Sequence, residues 1–187
     1  MFHKIFSFAL FTLLVTSSAS LAQIGFHGGL RAAHASISWD DTSFDENNEN
    51  GTGPGVGVSI GYGFNPLLTM MVSLSSHTLN GGDAYTHYAE IVSRFHLGKK
   101  SIQPYLEAGV MGSIFRYDDI DVRISGPGFT AGGGVRAAFS DRIGMELGVR
   151  PTRSFYNKVK SGRQSADIDA IKTWQLRSYI GLSIYID

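Results

Sequence analysis

Hydrophobic and polar residues alternate with a period of two along most of the chain beyond its first 22 residues. The clearest stretch is 56–64, where small residues such as Gly57, Ser59 and Gly61 alternate with large apolar ones. Such alternation is typical of a β-strand with one apolar face. Turn signals such as Asn65-Pro66 separate successive stretches, and no helical period competes with them. The pattern therefore predicts an all-β fold.

Eight alternating stretches follow one another along the chain, within residues 24–39, 56–64, 68–75, 88–97, 102–114, 129–139, 143–149 and 176–186. Their connections alternate in length. The tight ones lie at 65–66, 98–101 and 140–142, the long polar ones at 40–53, 116–126 and 156–169, and an intermediate one at 79–83. Short periplasmic turns and long extracellular loops are typical of an outer-membrane barrel. We therefore predict an eight-stranded antiparallel up-and-down transmembrane β-barrel.

The first 22 residues have the features of a secretory signal peptide. Lys4 precedes an apolar run over 5–15, and small residues occupy most of 16–22. A membrane anchor is the alternative, but the run is too short to span a bilayer as a helix. We expect cleavage after Ala22, which leaves the barrel domain as residues 23–187.

Composition and the placement of charge narrow the class of protein. The formal net charge is zero, 17% of the residues are charged, and there is no cysteine. This composition excludes a disordered chain, an electrostatic nucleic-acid binder and a disulfide scaffold. Lysines and aspartates lie in the leader, the turns, the loops, the strand mouths or the C-terminus, whereas a soluble barrel would carry them along its outer face. The apolar face is therefore predicted to meet lipid.

Aromatic residues are predicted to form two belts on the apolar face. Those near the short turns are Phe26, Tyr62, Phe64, Phe95 and Phe139, and those near the long loops are Trp39, Tyr85, Phe115, Phe129 and Trp174. Aromatic girdles at both interfaces anchor membrane barrels. The alternative is that aromatic residues are simply frequent in strands.

The polar face is predicted to carry a charge network in the lumen, formed by Arg31, Glu90, Arg94, Glu107, Arg136, Glu146, Arg150 and Arg177. Four of these residues lie on consecutive strands at similar distances from the short turns: Arg94, Glu107, Arg136 and Glu146. Their charges alternate in sign around the barrel, so a ring of ion pairs is expected. Inward Tyr88, Tyr105, Tyr179 and Met111 add volume, and many of the 23 glycines lie on the same face. An eight-stranded barrel then has a filled interior. A small or gated conductance is the alternative.

Candidate catalytic and metal sites are weak. Ser76 and His87 are predicted to face lipid beside the second outer loop with His77 near, but only Asp83 offers an acid there. Residues 46–51 partly match a calcium-binding loop, although Gly57 stands where the closing glutamate belongs. No enzyme activity, cofactor or metal is expected. Asp118, Asp119 and Asp121 suit a solvated loop or, as the alternative, divalent bridging to lipopolysaccharide.

One region resembles a known family. Residues 88–91 read Tyr-Ala-Glu-Ile, a Gly-Lys-Lys turn follows at 98–100, and residues 103–110 read Gln-Pro-Tyr-Leu-Glu-Ala-Gly-Val. These segments resemble the outer-membrane beta-barrel domain family of small porin-like barrels. The resemblance implies insertion by the barrel-assembly machinery and offers no shared catalytic residues.

These observations predict a monomeric integral outer-membrane protein with a side-chain-filled lumen. Its expected role is structural, with surface contacts through the long extracellular loops, and its expected partners are outer-membrane lipid and lipopolysaccharide rather than nucleic acid. A narrow porin-like channel for ions or small solutes is the first alternative, and an outer-leaflet lipid-modifying enzyme is the second.

Overall fold

The computed structural model describes residues 24–40, 51–98, 101–117, 122–140 and 142–186. The predicted signal peptide lies outside these residues. Eight strands follow in chain order: β1 (Gly25–Trp39), β2 (Gly51–Asn65), β3 (Leu68–Leu79), β4 (Ala84–His96), β5 (Ile102–Tyr117), β6 (Val122–Ala138), β7 (Ile143–Ser161) and β8 (Gln164–Ile186). No helix among the described residues is long and apolar enough to cross a membrane.

The strands form one closed barrel in sequence order. Each strand pairs antiparallel with the next, and β1 closes the ring against β8, where Leu30 lies opposite Leu182. Closure leaves every strand with two neighbours, so the sheet has no open edge. The predicted eight-stranded fold is confirmed.

Side chains stabilise the tight turns at one end of the barrel. The Asn65 side-chain oxygen accepts hydrogen bonds from the backbone N–H groups of Leu67 (2.8 Å) and Leu68 (3.0 Å). The Ser140 hydroxyl oxygen accepts from Ile143 N–H (3.1 Å) in the turn between β6 and β7. These short side chains replace the ladder partners that the backbone loses where it reverses.

At the opposite end the strands extend farther than the hydrophobic pattern predicts. The prediction of a loop over 156–169 is wrong: β7 continues to Ser161, β8 starts at Gln164, and Gly162 supplies the turn with a φ of +56°. The loop over 116–126 is also shorter, because β5 ends at Tyr117 and β6 begins at Val122. A strand requires an apolar face only where it meets lipid, so hydrogen-bonded strands outside the membrane lose the apolar alternation.

The two faces of the barrel differ as predicted over most of its height. Mid-strand Leu30, Val110 and Leu147 are each 63% exposed on the outer face, whereas the arginine and glutamate side chains of the predicted network are buried inside. Two members of the outer aromatic belt are corrected: Trp39 and Phe115 are 8% and 3% exposed and point inward. Strand parity explains this, because Trp39 shares its face with buried Ile37 two residues before it.

The lumen as candidate functional site

Register across β4, β5 and β7 brings Arg94 between two carboxylates. Arg94 is the cross-strand partner of Glu107, and its Nε and Nη2 donate to Glu107 Oε2 at 3.2 and 3.0 Å. Its Nη1 donates to Glu146 Oε1 at 2.8 Å. All three side chains are at least 95% buried, so these are charge-assisted bonds in a water-poor interior.

Arg150 and Arg177 extend the same network towards the extracellular side. Arg150 donates from Nη1 to Glu90 Oε2 (2.6 Å) and from Nε to Glu107 Oε1 (2.9 Å). Arg177 pairs with Glu90 and also donates to Thr152 Oγ1 (2.8 Å). Arg31 Nη2 lies 3.5 Å from Glu146 Oε2. The carboxylates of β4, β5 and β7 are thereby linked to arginines of β1, β4, β7 and β8.

Arg136 departs from the predicted ring of alternating ion pairs. Its guanidinium donates to Gln103 Oε1 and Ser183 Oγ, both at 3.3 Å, and lies over the Tyr185 ring at 4.6 Å. Arg136 and Glu146 are opposite each other in register. Glu146, however, is contacted by Arg94, which reaches across the narrow lumen. The ring prediction counted only neighbours around the wall.

Tyrosine rings fill the space around the arginines. Arg94 lies 3.9 Å from the Tyr105 ring centroid, and the hydroxyls of Tyr105 and Tyr179 are 2.8 Å apart. Tyr179 in turn donates to Glu107 Oε1 at 2.8 Å. Gly148 makes room for this pair, since a Cβ there would lie 2.6 Å from both hydroxyls. Gly148 and Gly134 thus leave the space that the tyrosine side chains occupy.

An apolar cluster occupies the extracellular part of the lumen. The Trp39 ring meets the Phe115 ring edge-on, with centroids 5.2 Å apart, and lies 6.0 Å from Tyr156. The whole cluster, which we call the apolar layer, consists of Ala35, Ile37, Trp39, Leu79, Ala84, Phe115 and Tyr156. The lumen therefore contains two consecutive layers, one of ion pairs and one of packed hydrocarbon.

Three buried histidines also face the lumen. His27 stacks on Tyr185 with centroids 5.0 Å apart, His96 Nε2 lies 3.3 Å from Thr69 Oγ1, and His77 is 1% exposed. The lumen positions of His27 and His77 were not predicted from the sequence. Parity could have found His27, because it is four residues before Arg31 on the same face of β1.

The candidate hydrolase pair lies on the outer face. Ser76 and His87 are direct cross-strand partners in β3 and β4, both on the lipid side. Their neighbours on that face are Val56, Leu74, Ala89 and Ile114 towards the membrane centre, and Thr78 and Tyr85 towards the second outer loop. No carboxylate of the described residues adjoins this pair to orient the imidazole, as nucleophilic catalysis requires.

The described part of the chain contains no group of three or more histidine, aspartate or glutamate side chains arranged to hold a metal ion. Residues 46–50 of the calcium-like segment and residues 118–121 of the third predicted loop lie outside the described ranges.

Comparison with known proteins agrees with this geometry. A model of the outer membrane protein beta-barrel domain matches residues 6–177. The chain belongs to this family. It is accordingly a protein of the outer membrane. No curated protein matches the chain.

Solved structures show the same fold. Neisserial surface protein A superposes with a TM-score of 0.64 at 17% identity, covering 87% of this chain and 97% of that one. The outer membrane protein OprG from Pseudomonas aeruginosa gives 0.57 at 11% identity, covering 90% and 99%. The outer membrane enzyme PagL gives 0.50 at 18% identity, covering 84% and 99%. At these identities the likeness concerns the fold alone.

Proposed function

We propose that this protein is a closed, non-conducting barrel that acts through the surface of its extracellular end. The observation that carries the first half of this proposal is the filled lumen. A permeating ion would have to separate Arg94 and Arg150 from their carboxylates and then displace the rings of Trp39 and Phe115. Removing one partner from a buried ion pair costs about 3–5 kcal/mol, so steady conduction is disfavoured.

Planar-bilayer recording tests whether the lumen conducts. The wild-type protein should insert, as judged by heat-modifiable migration on a gel, and yet give no steady current steps, while a large porin in the same bilayers serves as the positive control. Steady conductance that disappears on Glu107→Ala or Arg136→Ala would establish the narrow channel and overturn this proposal.

A row of cations on the outer face supports the second half of the proposal. Arg116, Arg123 and Lys160 are successive cross-strand partners on β5, β6 and β7, and the row begins next to Tyr85 on β4. Directly opposed side chains lie about 4.5–5.5 Å apart at Cβ, where like charges destabilise a sheet. Anionic groups outside the barrel would relieve this repulsion. We call these three residues the basic row.

A second set of cations lies lower on the same side of the barrel. Arg153 lies 4.9 Å from the Trp174 ring, and Lys172 is exposed beside Phe155. Arginine and lysine beside interfacial aromatic rings are positioned at the height of lipid headgroups. Because Arg153 is already paired with Asp40, we propose that Lys172 and the basic row contact the phosphate groups of lipopolysaccharide in the outer leaflet.

Binding of the detergent-solubilised protein to lipopolysaccharide tests this contact. Arg123→Gln should weaken binding about fivefold, since one cation near an anionic surface contributes about 1 kcal/mol. Arg142→Gln, in a turn at the opposite end, removes the same charge and should leave binding unchanged. Equal affinity for phosphorylated and dephosphorylated lipopolysaccharide would contradict the proposal.

We propose further that the protein does not modify lipid. The support is that no carboxylate of the described residues adjoins Ser76 and His87 to orient the imidazole. Expression of the chain should leave lipid A unchanged by mass spectrometry. Loss of an acyl chain that depends on both Ser76 and His87 would make the protein an enzyme instead.

A further inference from the structure

A small cavity lies inside the lumen, beside the ion-pair layer. Its volume is about 20 Å³, and its wall includes Arg31, His77, Glu90, Arg150 and Arg177. Enclosing one water molecule takes roughly 10–15 Å³ on this measure, so the cavity suits one particle of that size or slightly larger. Three guanidinium groups and one carboxylate therefore border a space for a single small particle.

The described lumen carries more positive than negative charge. Five arginines of the network face three glutamates, a formal excess of two positive charges. Arg94, Arg150 and Arg177 hold close ion pairs, whereas Arg31 reaches Glu146 only at 3.5 Å and the Met71 sulfur at 3.4 Å. A buried charge without a close partner is costly. Among the described residues Arg136 has no carboxylate partner, and Arg31, which borders the cavity, has only this longer contact with Glu146.

Several polar atoms around the cavity have no hydrogen-bond partner among the described residues. They are Arg31 Nε, Arg177 Nε and both ring nitrogens of His77. His77 and Arg177 are only 1% and 4% exposed. Glu90 does not serve as their hydrogen-bond partner, because its oxygens already accept from Arg150 and Arg177. Buried polar atoms of this kind normally have a partner.

We propose that this cavity binds a small monatomic anion of the chloride type. A halide accepts hydrogen bonds from several N–H donors at once. Unlike a water molecule, it also neutralises one of the excess positive charges. Sulfate and phosphate carry four oxygens around a central atom and exceed the space for one water-sized particle. The inference is independent of the proposed surface function, since it concerns only the lumen.

Bromide provides a direct probe of the site. The full barrel is refolded from urea into detergent micelles in sodium bromide, so that the ion can enter before the barrel closes, and is then crystallised. Anomalous diffraction should show a bromine peak between Arg31 and Arg177. Arg31→Met should abolish that peak, while Arg136→Met, which removes an equal charge away from the cavity, should retain it. Solvent density without a bromine signal overturns the proposal, as does a peak that persists in Arg31→Met.

A solution measurement covers the case in which the arginine variants do not fold. The unfolding midpoint of the wild-type barrel, followed by its heat-modifiable migration, should be higher in chloride or bromide than in gluconate at equal ionic strength. Ala33→Val fills the cavity without changing charge and should abolish that difference. Equal wild-type midpoints in all three salts, or an undiminished difference in Ala33→Val, would refute anion binding in the cavity.

Discussion

The ion-pair layer and the apolar layer occupy the same lumen and are held together by different physical means. In the first, Arg94 and Arg150 each hold two carboxylates, so every charge depends on the positions of several others. In the second, the rings of Trp39 and Phe115 pack edge-on. Removal of one member should therefore be far more damaging in the ion-pair layer, whereas the apolar layer can repack.

Loss of a shared carboxylate should give the largest effect. Glu107→Ala leaves Arg94 and Arg150 each without one close partner. We expect a loss of about 3–5 kcal/mol in the free energy of unfolding, because breaking a buried ion pair leaves uncompensated charge. Urea unfolding in lipid vesicles measures it. Asp83→Ala, which removes an exposed acid from a turn, is the control, and equal destabilisation by both variants would contradict this account.

Overpacking near the ion-pair layer should have the next largest effect. A Cβ at Gly148 would lie 2.6 Å from the Tyr105 and Tyr179 hydroxyls, whereas a Cβ at Gly112 would meet nothing within 4 Å. Gly148→Ala should cost about 1–3 kcal/mol. Gly112→Ala should be nearly neutral in the same unfolding assay. If the two variants unfold at the same urea concentration, the inward glycines do not serve to accommodate the tyrosines.

A conservative truncation in the apolar layer should be milder. Ile37→Val removes one methylene from a side chain that is 1% exposed, and we expect a cost of about 0.5–1.5 kcal/mol. Ile60→Val, on the lipid face, is the matched control and should cost less because lipid chains refill the space. A larger effect at Ile60 would mean that the apolar layer is loosely packed.

The smallest expected effect is pH-dependent and comes from an exposed ion pair between Arg153 and Asp40. The Arg153 guanidinium donates to Asp40 and holds the pKa of that carboxyl below its usual value. A lowered pKa stabilises the folded state above the usual aspartate pKa, and this contribution disappears as the pH falls through the folded-state pKa. Such an exposed pair contributes about 0–1 kcal/mol.

Asp40→Asn tests this pair. The variant should be slightly less stable than the wild type at neutral pH, and the two unfolding midpoints should converge in strong acid. A difference that grows as the pH falls would show that Asp40 is destabilising when charged.

Prediction from sequence succeeded where local chemistry decides the outcome. Alternation such as that of Val56 and Val58 with Gly57 follows directly from the period of a strand, and lipid requires it. The strands of the hairpin beyond Tyr156 were not predicted, because a strand that is exposed to water on its outer face does not need alternating apolar residues. Prediction also failed for Trp39 and Phe115, whose ring type indicated an interface although their parity indicated the interior.

The partners within the lumen required the tertiary structure. Arg136 was expected beside Glu146 because the two are adjacent on the wall, yet Arg94 occupies that carboxylate and Arg136 contacts Gln103 and Ser183. Pairing across a narrow barrel depends on the shear of the barrel and on how far each side chain reaches, and residue spacing along the sequence predicts neither.

By itself, the sequence determined that this protein is a membrane barrel of eight strands and that the charged side chains of the network face inward, because strand parity and lipid contact act residue by residue. Only the closed barrel decided which charges meet, where apolar rings close the lumen and where a cavity remains beside Arg31. Those features depend on distances across the lumen, and these distances are fixed only when β1 pairs with β8 and closes the barrel.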